Sequence, residues 1–140
     1  MIILDTNIVS AMMQREPNAV VTQWLDQNSH DTFWLTAISV FELRVGIEIL
    51  DVGRNRRRLE DALNRVLEVD VKNQILFLDE RAAATAASIA AARSKIGRPA
   101  ELRDTLIAGI AVAHRANLVT RNVRHFEGLD IRVINPWDET

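Results

Sequence analysis

Ile2, Ile3 and Leu4 run without a polar break into Asp5, Thr6 and Asn7. This stretch limits the fold more than any other. A strand with one wet face alternates apolar and polar residues. An unbroken apolar run closed by polar groups therefore reads as a short strand buried on both faces, the kind found in parallel sheets covered by helices. In an open parallel sheet, ligands bind in the crevice beyond the carboxyl ends of the strands, and Asp5 stands at such an end.

The rest of the chain supplies the helices. Residues 8–14 read as a short helix capped by Asp5 or Thr6, and Pro17 opens a second with Val20, Val21, Trp24 and Leu25 on one face. Phe33, Trp34 and Leu35 form a second strand ending at Thr36. The spacing of Ile38, Phe41, Val45 and Ile49 predicts a helix over 38–51 with that row inward, stopped by Gly53. A helix over 54–67, basic at its start, turns Leu59, Leu63 and Leu67 inward and completes a helical hairpin.

Residues 75–78 form a third strand, and an alanine-rich helix over 80–96 is suited to close packing. Gly97-Arg98-Pro99 is a loop. The helix over 101–115 carries no charge between residues 106 and 113, as expected of a helix buried on several sides. Residues 118–120 and 131–134 are the last strands. Strands alternating with helices predict a three-layer α/β/α domain over 1–140, with a mostly parallel sheet of four to five strands.

Composition narrows the chemistry. The chain has no cysteine, which excludes disulfides, thiolate metal sites and cysteine nucleophiles. Its net charge of −2 argues against a protein that binds nucleic acid by bulk electrostatics. No signal peptide is visible, and no apolar run is long enough to span a bilayer, so the expectation is a soluble cytoplasmic protein without membrane contact.

Three acids stand out. Asp5 either caps the following helix or faces a strand-end site. Glu42 lies between Ile38 and Val45, on the side taken as inward. An ionised carboxylate there needs a partner, either an arginine from another helix or a metal ion. Asp104 starts the most buried helix, where it either complements the helix dipole, as Glu101 does equally well, or joins a site at the strand ends. Three carboxylates within about 5 Å of one another would repel strongly, and a hard divalent cation relieves this. Oxygen-only ligation favours Mg2+ or Mn2+, and such a site suits phosphoryl chemistry.

The motifs I-L-D-T-N at 3–7, F-E-L-R-V-G at 41–46, R-D-T-L-I-A at 103–108, V-T-R-N-V-R-H-F at 119–126 and N-P-W at 135–137 occur in that order. With them the chain resembles PIN-domain ribonucleases over its whole length, and among these the VapC-type toxins of toxin–antitoxin pairs. The last motif is similar to the FitB-like branch. The resemblance implies that Asp5, Glu42 and Asp104 bind Mg2+ or Mn2+ and activate water for RNA hydrolysis, supported by Asn7 and Thr120. It also implies a homodimer and a VapB-like antitoxin whose tail covers the helical hairpin, with operator DNA bound only through that antitoxin.

One departure is visible. Many relatives carry a fourth acid where this chain has Asn122 or His125, so a second metal is expected to bind weakly. Asn122 can still support the site through its amide oxygen. Candidate RNA contacts are Arg121 and Arg124 after the fourth strand, and Arg98 and Arg103 before the last long helix. The arginines at 54–58 are read as a solvated face, and His125 as an ordinary loop histidine.

Two other classes compete. A catalytically weak subunit would act mainly as a co-repressor with a DNA-binding antitoxin, but that role does not need Glu42 on an inner face. An aspartyl phosphotransferase would need a second aspartate two residues after Asp5, where Asn7 stands.

Overall fold

The apolar run at the start of the chain forms β1 (Ile2–Leu4), with all three residues buried. The computed structural model describes residues 1–139, and Thr140 lies outside them. After β1 come α1 (Thr6–Met12), α2 (Ala19–Gln27), β2 (Phe33–Thr36), α3 (Ala37–Glu48) and α4 (Arg54–Arg65). A single wide π turn (Val66–Asp70) extends α4. Then follow β3 (Ile75–Leu76), α5 (Glu80–Lys95), α6 (Leu102–Ala113), β4 (Asn117–Val119) and β5 (Val133–Ile134).

The strands pair in the order β3-β2-β1-β4-β5, every pair parallel, so β1 is central. Parallel neighbours need crossover connections, and helices supply them here. Because successive strand residues point to opposite faces, each strand feeds two cores. Ile2, Leu4, Leu35, Val119 and Ile134 pack with α1, α2, α3 and α4; Ile3, Leu76 and Leu118 pack with α5 and α6. The expected three-layer α/β/α fold is met.

The alanine-rich α5 lies close against α6, as its composition suggested. At Gly109 an added Cβ would stand 2.5 Å from the Ala86 Cβ and 2.7 Å from the Ala82 carbonyl oxygen. Gly97, just past α5, takes φ +70°, the left-handed turn that glycine adopts without strain.

The hairpin differs from expectation in three ways. The inward row of α3 is Ser39, Leu43 and Ile47, whereas Phe41, Val45 and Ile49 are exposed, Phe41 by 63% and Ile49 by 77%. The start of α3 explains this. Thr36 caps the helix by accepting a bond from the Ser39 amide, which turns Ser39 towards the sheet and fixes the rotation of all that follows. Gly53 does not stop α3; it is the N-cap of α4. The arginines of α4 are not a uniform solvated face. Arg56 joins Glu48 at 2.9 Å to Glu60 at 3.1 Å, and Arg58 turns inward to donate to the Met13 carbonyl. Among the described residues no helix is long and apolar enough to cross a membrane.

Candidate active site

Both alternatives for Asp5 hold at once. Its Oδ1 accepts the Thr6 amide at 2.8 Å, capping α1, while its Oδ2 accepts the Thr120 hydroxyl at 2.7 Å. Thr120 follows β4, the strand paired with β1, so the bond joins two neighbouring strand ends. Asn7 braces the same corner. Its amide nitrogen lies 3.5 Å from Asp5 Oδ2 and 3.4 Å from Thr120 Oγ1, and its oxygen accepts the Arg121 amide at 3.1 Å. The Asn122 amide donates to Thr120 Oγ1 at 3.0 Å. Asp5 is thus held in one orientation while only 5% exposed.

Glu42 reaches the corner from the second turn of α3. It is three residues past Ser39 and shares that side of the helix. Its Oε1 accepts the Thr6 hydroxyl at 3.2 Å, and Thr6 also contacts the Ser39 hydroxyl at 3.0 Å. Its Oε2 is paired with Arg103 Nη1 at 2.8 Å. The arginine from another helix is therefore present. Asp104 sits in the first turn of α6, where its Oδ2 lies 2.7 Å from His125 Nδ1. His125 is consequently more than a loop histidine.

Asp5, Glu42 and Asp104 line one cleft of about 420 Å³ together with Asn7, Asn122, Arg103, Arg121 and Trp137. Burial pushes the Asp5 carboxyl above its ordinary value of 3.8, opposed by the bonds from Thr120 and Thr6, and the charges of Asp104 and Glu42 push it further up. Among the described residues, no group of three acidic or imidazole side chains is gathered into a ready metal cage. The acids share the cleft but do not close on a point: Glu42 is drawn onto Arg103, and Asp104 onto His125.

A carboxyl whose pKa is raised by folding stabilises the fold fully below its unfolded value near 3.8. That contribution is lost as pH rises through the folded value. In chelator-treated protein, the melting temperature of the native chain relative to Asp5→Asn should therefore fall across this window. A flat difference in thermal melts against pH would show that Asp5 is not perturbed.

The candidate arginines divide. Arg121 lies in the cleft with its guanidinium carbon 4.6 Å from the centre of the Trp137 ring. Arg103 is also there but engaged by Glu42. Arg98 and Arg124 line an adjoining groove of about 350 Å³, which shares Glu101 and Asp104 with the cleft. Sequence reasoning did not assign Thr6, Ser39, His125 or Trp137 to the site. For Thr6 the signal was present, since a hydroxyl follows Asp5 directly. Nothing in the spacing relates His125 to Asp104.

Residues 2–131 match the PIN domain family model. The chain is 37% identical to the plasmid stability protein StbB of Pseudomonas syringae pv. tomato, over 99% of both chains. It is 33% identical to the VapC ribonuclease Y4jK of Sinorhizobium fredii, also over 99% of both. To the toxin FitB of Neisseria gonorrhoeae it is 34% identical, over 99% of this chain and 100% of that one. Among solved structures it is similar to a chain of FitAB bound to an IR36 DNA fragment, with a TM-score of 0.86, 33% identity, and coverage of 98% of this chain and 96% of the other.

Proposed function

Since the chain belongs to the PIN domain family, we propose that it is a metal-dependent endoribonuclease toxin neutralised by a VapB-like antitoxin. The observation that carries this reading is the meeting of Asp5, Glu42 and Asp104 in one cleft, from a strand end and two helices distant in sequence. Two further carboxylates beside a buried one are unfavourable, and Arg103 offsets only Glu42 by a direct pair. A cation between them reverses the sign.

The donor set is oxygen only, which fits Mg2+ or Mn2+. Asp5, Glu42 and Asp104 would hold the ion, which when bound neutralises developing charge on a phosphate and acidifies water. The chain's own groups do the remaining work. Thr120 and the Thr6 amide fix the rotamer of Asp5, and Asn7 braces both. Arg121, stacked on Trp137, presents a guanidinium to a phosphate at the lip of the cleft. Arg98 and Arg124 stand along the adjoining groove, among Glu101, Asp104 and Glu127.

The relatives' names support the activity and the pairing: one is a VapC ribonuclease and another the toxin FitB, and FitAB has been captured on DNA. The exposed row Phe41, Val45 and Ile49 supports a covering partner, either the antitoxin tail or the second copy of a homodimer. Operator DNA is then reached through the antitoxin.

The test is cleavage of a total RNA pool by folded, partner-free protein, with Mg2+ or Mn2+ and with chelator, beside an Asp104→Asn control. Metal-dependent cleavage lost in the control is expected. Its absence would favour the second reading, a co-repressor subunit, which the DNA-bound relative complex brings into range. A band shift of operator DNA with the antitoxin present then decides. Asn122 lines the cleft without adding charge. Asn122→Asp should tighten Mn2+ binding about tenfold, the scale of a unit charge ~6 Å from a divalent ion at the dielectric of water. Calorimetric titration showing equal or weaker binding would place that position away from the ion.

A further inference from the structure

We propose that Arg103 is a built-in competitor of the metal ion, a cation that the protein parks on Glu42 and exchanges for the divalent ion when the site is loaded. The proposal rests on the metal-site reading above. Glu42 keeps only 16% of its side chain exposed, and both of its oxygens are engaged: Oε1 by the Thr6 hydroxyl, Oε2 by Arg103 at 2.8 Å. A buried carboxylate needs such a partner. Arg103 is the residue immediately before Asp104, so its guanidinium comes from the same helical turn as one acid and clamps another.

The arginine is built to leave. Its side chain is 56% exposed, and a second carboxylate, Glu101, already lies 3.9 Å from its other terminal nitrogen. Rotation towards Glu101 and solvent releases Glu42 without leaving the guanidinium unsolvated. Both positions line the same cleft, so the displaced group stays at the rim. The exchange accounts for the lack of a closed three-acid cage: Glu42 is turned to an internal cation. Metal binding must then break the Arg103–Glu42 pair, and apparent affinity is lowered by the stability of that pair.

The test is calorimetric titration of partner-free, chelator-treated protein with Mn2+ alone. Arg103→Gln should bind Mn2+ about fivefold more tightly than the native chain, the upper range for a partly exposed pair. Arg121→Gln removes a charge from an exposed position in the same cleft without freeing a carboxylate, so after screening its effect should stay well below that of Arg103→Gln. In a Glu42→Gln background, Arg103→Gln should act no more strongly than Arg121→Gln does, because the pair is already gone.

Equal effects of Arg103→Gln and Arg121→Gln would overturn the proposal in favour of general charge. So would unchanged affinity in Arg103→Gln while Asp104→Ala still weakens binding; that result leaves the metal site standing. No Mn2+ binding by any form would overturn both the exchange and the metal-site reading.

Discussion

Asp104→Ala should lower metal-dependent RNA cleavage by at least about 10²-fold, the scale on which losing one electrostatic stabiliser slows a reaction, while the thermal melt of the metal-free protein hardly moves. The two halves have separate causes. Asp104 is one of three acids in the cleft, so its loss weakens the charge cluster that would hold the cation. It caps nothing, because the N-cap of α6 is Glu101 and no side chain there bonds the helix amides. Asp5→Ala should be as inactive but also less stable, since Asp5 is the N-cap of α1 and such losses run to about 0.5–2 kcal/mol. Parallel assays of cleavage rate and melting temperature check both. Full activity in Asp104→Ala would remove Asp104 from the chemistry.

The largest effect on stability is expected at Gly109. Alanine is normally the better helix former by about 1 kcal/mol, yet here its methyl would meet the Ala82 carbonyl oxygen and the Ala86 backbone at less than 3 Å. Neither is the movable end of a long side chain, so α5 and α6 must separate. Overpacking of this kind costs about 1–3 kcal/mol. Gly109→Ala should therefore melt roughly 3–10 °C lower, and Gly109→Leu lower still. The same change at Gly46, which has open space around it, should be neutral or stabilising. Melting curves of the two alanine variants give the comparison directly.

Period and polarity made the layers of this protein readable. Ile2 to Leu4, Phe33 to Thr36 and Leu118 with Val119 are strands in the structure, and the alanine-rich segment does pack tightly. The rotation of α3 was not readable, because its buried row begins with a serine. Ser39 is inward since it bonds Thr36 and Thr6, a preference set by local hydrogen bonding that a hydrophobic count does not register. Glu42 was placed inward by its position between Ile38 and Val45; Ile38 is indeed packed against the core, but Val45 is exposed, and Glu42 follows Ser39. A strand end marked Asp5, helical spacing marked Glu42, and the start of the uncharged helix marked Asp104. The partners of Glu42 and Asp104, Arg103 and His125, depend on how side chains settle across a cleft, and no spacing along the chain encodes that.

The central place of β1 carries a consequence in time. Ile2, Ile3 and Leu4 are made long before one of their two neighbours, Asn117, Leu118 and Val119. Until those residues emerge, the middle strand has an open side, and Asp5 lacks the Thr120 hydroxyl that orients it. At about 5–20 residues per second, the stretch from residue 5 to residue 120 takes roughly 6–23 s to make, and pairing across so long a separation is itself slow. The corner that orients Asp5 is therefore assembled only once β4 has joined β1.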